Sequence, residues 1–126
     1  MVEVNEELTV VLKELRKTGD IEAAAVVRRD GLMVASDLSE SMEDSTVAAM
    51  TAALVGTAET FSSELSRGQF KEVVVDSEKG KLVAIGAGKL AILICVIKEK
   101  GNLGFVLISI ERAAKTIEEL LKGNQG

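Results

Sequence analysis

The chain has 126 residues, enough for one domain with one buried core. It holds no histidine, tryptophan or tyrosine, one cysteine and three phenylalanines, and its formal net charge is −5. That composition removes the commonest general base and metal ligand, a cysteine-built zinc site and a disulfide framework. It also removes the basic stripe and the stacking platforms that nucleic-acid binding uses.

The opening run Met1-Val2-Glu3-Val4-Asn5 is acidic and has no apolar signal region. The longest apolar run, 90–97, is much shorter than the ~20 residues a spanning helix needs. A cytoplasmic protein with no membrane span is expected. Asn5 is placed to cap a first helix over 5–18, with Glu6 and Glu7 where the helix dipole favours negative charge. Leu8, Val11, Leu12 and Leu15 give it one apolar face, and Gly19 ends it. Residues 21–29 and 32–36 read as a hairpin around Asp30-Gly31, a pair suited to a two-residue turn with φ > 0. Ala23, Ala24 and Ala25 make its first strand thin, so a helix can sit close to it.

Residues 41–68 form the longest stretch that reads as one helix. At about 100° per residue, Val47, Met50, Leu54, Ala58, Phe61 and Leu65 share a face that reads as core. The opposite face carries Ala49, Ala52, Ala53, Gly56, Thr60 and Ser63, all small, where a solvent face would be charged. Gly56 costs a helix interior up to about 1 kcal/mol relative to Ala. The face therefore reads as the contact for a second helix, supplied by another copy of the chain.

Residues 70–76 form a strand with three consecutive valines, Val73, Val74 and Val75. Ser77-Glu78-Lys79-Gly80 turns the chain, 81–85 returns, and Gly86-Ala87-Gly88-Lys89 turns it again. The run 90–97 is then a strand interior to the sheet. The segment from Phe105 to Ile110 is β-branched, but Leu103, Val106, Leu107, Ile110, Ala113, Ala114, Ile117, Leu120 and Leu121 keep one helical face. One helix over 103–121 capped by Asn102 is expected, followed by a disordered end from about 123. The result is a single α+β domain, 1–126, with element order α-β-β-α-β-β-β-α.

Chemistry-bearing motifs are sparse. Gly86-Ala87-Gly88-Lys89 superficially matches a phosphate-binding loop, but a strand follows it instead of the helix whose free N–H groups would meet the phosphate. Cys95, mid-strand, reads as a small buried hydrophobe. Glu40, Glu43 and Asp44 lack the spacing of a calcium loop and suit the start of the second helix. Arg28, Arg29 and Arg67 read as solvated surface charge rather than as arginine fingers. No catalytic residue, metal or cofactor is expected.

Taken together, the first helix, the hairpin Ala24-Ala25-Val26-Val27-Arg28-Arg29-Asp30-Gly31-Leu32-Met33-Val34-Ala35, the Ala-rich helix, the strand Glu72-Val73-Val74-Val75 and the segment Gly101-Asn102-Leu103-Gly104-Phe105-Val106-Leu107 resemble the roadblock / dynein light chain family, in particular its compact prokaryotic members. The resemblance covers nearly the whole chain. It implies a profilin/longin-like five-stranded sheet in the order 2-1-5-4-3, with the long helix on one face and the terminal helices on the other. It also implies homodimers joined through the third strand and the second helix, which assigns the small helix face and Val73 to Val75 to the dimer contact. It further implies a non-enzymatic role beside a small Ras-like GTPase, with Ala48, Thr51, Val55 and Glu59 as the candidate GTPase contacts. A small-ligand sensor domain and a structural protein assembling through sheet edges are the alternative readings.

Overall fold

Helix α1 (Val2–Arg16) buries Val4, Leu8, Leu12 and Leu15, the side chains that recur on one side of a helix. The computed structural model describes residues 2–123, with Val2 described by its backbone alone. The helix begins earlier than expected. Asn5 lies inside it rather than capping it, and its carbonyl accepts the Thr9 hydroxyl at 2.8 Å.

Strands β1 (Ile21–Arg28) and β2 (Met33–Asp37) form the expected hairpin, with Gly31 at φ 96° in its loop. The loop is longer than a two-residue turn, because the strands stop at Arg28 and resume at Met33. The register shifts between Val26 and Val27, an irregularity of the kind a β-bulge makes. Helix α2 (Asp44–Glu64) follows, then β3 (Glu72–Ser77), β4 (Gly80–Ala87) and β5 (Ala91–Lys98). The sheet order is β2-β1-β5-β4-β3, and every pairing is antiparallel. β5 lies between β1 and β4, as its unbroken apolar run requires, and Cys95 within it is fully buried.

Helix α3 (Leu103–Gly123) is continuous, so the segment from Phe105 to Ile110 is helix and not a sixth strand. Asn102 Oδ1 accepts the Phe105 N–H at 3.0 Å, the capping bond that starts it. Its buried stripe of Val106, Ile110, Ala113, Ala114 and Ile117 outweighs a helix-propensity deficit of a few tenths of a kcal/mol per β-branched residue. The expected disordered end falls on Gly123, which closes α3, and on residues 124–126, which lie outside the described residues.

Two apolar layers sandwich the sheet. Leu8, Leu12, Val106, Ile110 and Ile117 pack from α1 and α3 onto Ala24, Val26, Leu93 and Ile97. On the other face Ala48 and Val55 of α2 pack onto Ala25, Val27, Ala84, Ile92 and Ile94. One helix therefore covers a face that two helices cover on the opposite side. Among the described residues, no helix is long and apolar enough to cross a membrane.

Candidate interaction surface

α2 meets the sheet on a different side from the one its larger apolar residues mark. Its buried residues are Ala48, Thr51 and Val55. Met50, Phe61 and Leu65, expected in the core, are 60%, 62% and 59% exposed. The physical reason is close approach. The thin strand β1 leaves room only for small or β-branched side chains beneath the helix. A Cβ built on Gly31 would lie 3.9 Å from Ala52 Cβ and 4.0 Å from Ala49 Cα, so the hairpin turn lies alongside α2. Ala52 is half-buried there.

The same rotation corrects the assignment of Ala48, Thr51 and Val55 to a GTPase contact. They are 0%, 4% and 0% exposed, and a partner reaches none of them unless α2 leaves the sheet. The fourth, Glu59, is half-buried and held inside the chain by Arg29.

Ala49, Ala53, Gly56, Thr60 and Ser63 lie exposed on the outer side of α2. A Cβ at Gly56 would meet nothing within 4 Å, so nothing within the chain requires glycine there. Thr57 and Thr60 donate their hydroxyls to the carbonyls of Ala53 and Gly56, at 2.8 and 3.0 Å. A hydroxyl folded back on its own helix carries its hydrogen bond with it when water leaves. This face can be covered at small polar cost.

β3 is an edge strand. It pairs with β4 through Val73↔Ala84, Val74↔Val83 and Val75↔Leu82, and among the described residues its other side has no neighbour in the sheet. Val73 and Val75 are half-buried and Val74 is 38% exposed. An uncovered edge with three valines at its centre is a template for another strand. By alternation, Val73 and Val75 share the α2 side of the sheet with their partners Ala84 and Leu82. Between them and α2 runs a groove of about 420 Å³, lined by Leu38, Met42, Met50, Leu54, Leu82 and Val96 among others. The edge and the groove meet at Leu82, the partner of Val75, whereas Ala49 and Ala52 lie on the hairpin side of α2.

Burial pushes the Cys95 thiol up from 9.0 to about 12, which keeps it protonated and inert. The Gly86-Ala87-Gly88-Lys89 stretch ends β4 and turns into β5, with Gly88 at φ 81°, so no helix N-terminus stands there. Glu43 is the N-cap residue of α2 but makes no side-chain capping bond; its Oε1 accepts Ser45 Oγ at 2.8 Å, and Asp44 Oδ2, in the first turn, accepts Ser36 Oγ of β2 at 2.9 Å.

Arg29 was not legible as a structural residue. Its Nη1 bonds Glu59 Oε2 at 2.6 Å and its Nη2 donates to Gly88 O at 2.9 Å. It thus ties α2 to the β4–β5 turn. Arg28 pairs with its neighbour Asp30, and Arg67 is exposed, as solvated charges should be.

A family model described as the Roadblock/LC7 domain matches residues 7–98. An uncharacterized protein of Methanocaldococcus jannaschii (MJ1340) is 37% identical over 110 residues, which cover 87% of this chain and 96% of that protein. MglB of Myxococcus xanthus has the same fold, with a TM-score of 0.87 at 17% identity, over 94% of this chain and 90% of that one. Profilin II of Acanthamoeba castellanii shares the architecture more distantly, with a TM-score of 0.64 at 20% identity over 88% and 95% of the two chains.

Proposed function

The chain belongs to the Roadblock/LC7 domain family, and from that premise we propose that it is a non-enzymatic homodimeric regulator that binds a small Ras-like GTPase in the cytoplasm and modulates its nucleotide cycle. The observation that carries the dimer is the open β3 edge, on a sheet face whose one covering helix, α2, is exposed and small-residued on its outer side. Pairing β3 with its own copy satisfies two edges by one two-fold axis. The same operation brings the two α2 helices alongside one another. Met50, Phe61 and Leu65, too exposed for a core, then gain a cover.

The GTPase half of the proposal rests on the family likeness together with the lack of catalytic equipment. A sheet doubled across β3 with paired helices on one face is a rigid ledge, suited to holding mobile switch loops in one state. The contact residues lie on the outward side of the paired helices, since the sheet side of α2 is occupied. A sensor for small polar ligands is disfavoured by the groove itself, which has Thr51 as its one polar side chain; such sites need a few convergent polar groups. The test is a binding experiment with the Ras-like GTPases of the native host, each loaded with GDP or with a GTP analogue. A nucleotide-dependent affinity that Ala53→Glu abolishes is expected. Equal and negligible binding of every such GTPase in both states would refute the GTPase half and leave the dimer standing.

A further inference from the structure

The outer crest of α1 is self-complementary. Glu3, Glu6, Val10, Lys13 and Lys17 are all exposed. Their spacing of three and four residues puts them in one stripe along the helix. Lys17 extends that stripe past Arg16, its N–H bonding Lys13 O at 3.2 Å. The stripe reads acid, acid, apolar, base, base. Reversed about Val10, Glu3 falls opposite Lys17, and Glu6 lies within about one 1.5 Å helical step of Lys13.

Apolar surface surrounds the centre of the stripe. Val10 is 59% exposed, and Phe105 and Ile108 on α3 are 71% and 57% exposed. α3 starts where α1 ends, with Asp20 Oδ2 accepting the Asn102 N–H at 3.3 Å. The two helices run antiparallel on the same sheet face, so Phe105 and Ile108 lie beside the second half of α1. The helix dipole favours this order of signs, but it sets no requirement for apolar residues between the charges or on the neighbouring crest. An anionic membrane would repel Glu3 and Glu6. A second copy of the chain sets Glu3 against Lys17 and brings Glu6 within about one helical step of Lys13.

We propose that α1 is a second self-association surface. α1 of one copy packs antiparallel on α1 of another about a two-fold axis at Val10, with Phe105 and Ile108 flanking the contact. It lies on the sheet face opposite α2, so it joins units beyond the β3 and α2 pairing. Its charge pairs are solvent-exposed, and Lys17 exchanges its exposed partner Glu14 (3.0 Å) for Glu3 of the other copy.

Three measurements on the full chain test it. Sedimentation at low salt should show a species larger than the β3-paired dimer, lost at about 1 M salt, where the screening length is ~3 Å. Lys13→Glu with Lys17→Glu makes an acidic stripe, and Glu3→Lys with Glu6→Lys makes a basic one. Neither variant should form the larger species alone, and their mixture should bind at least about tenfold tighter than either self-associates. Val10→Cys should cross-link to itself under mild oxidation, since Cys95 is buried and takes no part. A largest species that is the same in wild type and Val10→Asp, a mixture no tighter than its components, or Val10→Cys that stays uncross-linked would overturn the proposal. If wild type is a dimer that Val10→Asp makes monomeric while Ala53→Glu does nothing, α1 is the dimer contact and the β3 pairing fails instead.

Discussion

Arg29, just past β1, and Glu59, in the fifth turn of α2, are joined at 2.6 Å although 30 residues separate them. This pair and the bond from Arg29 to Gly88 O are the hydrogen bonds that tie the C-terminal half of α2 to the rest of the fold among the described residues. Beyond Val55 that half holds no buried residue. Arg29→Ala is expected to lower global stability by only about 1 kcal/mol, since the pair is partly solvated. It should nevertheless speed amide exchange selectively over 59–64. Gly86→Ala should act in the same direction, because its Cβ would stand 3.0 Å from Arg29 Nη2. Unchanged exchange in both variants would show that α2 is held by apolar contact alone.

The outer face of α2 carries a second prediction. Gly56→Leu and Ala53→Glu place bulk or charge at exposed positions, so each monomer should stay folded. Self-association through α2 should weaken at least about tenfold, about 1.4 kcal/mol. Light scattering coupled to size exclusion, read at salt high enough to open the α1 contact, reports it. Two variants with unaltered dimer mass on dilution would place the contact elsewhere.

Much of the fold is legible in the sequence. Asp30-Gly31 marked the hairpin, and the nine-residue apolar stripe from Leu103 to Leu121 defined α3 against its local β-branching. α2 misled because it carries apolar residues on two sides. Periodicity alone ranks Met50 and Phe61 above Ala48 and Thr51, and only the thinness of β1 reverses that order. Arg29 and Glu59 could not be matched from sequence, since nothing local to either residue names a partner so far along the chain.

Cys95 predicts a pH dependence. Its folded thiol titrates near 12, against 9.0 for the free group. The unfolded chain therefore ionises first as pH rises. The contribution is fully present below pH 9.0 and is lost toward pH 12, at roughly 1.4 kcal/mol per pH unit. Urea unfolding of wild type and Cys95→Val across that window should show the steeper decline in wild type. Parallel curves would contradict the burial argument.

Purified protein should neither hydrolyse GTP or ATP nor bind them tightly. Calorimetry is the check, and micromolar binding of either nucleotide would contradict a purely regulatory reading.

The central claim is that the β3 edge is consumed by pairing with a second copy. Hydrogen exchange at single-residue resolution reads it directly, through the amides of residues 72–77 that do not bond β4. Dimer pairing predicts that they are protected at high protein concentration and exchange faster on dilution, together with the outer face of α2. Rapid exchange of those amides at every concentration would leave the edge unpaired and contradict the account.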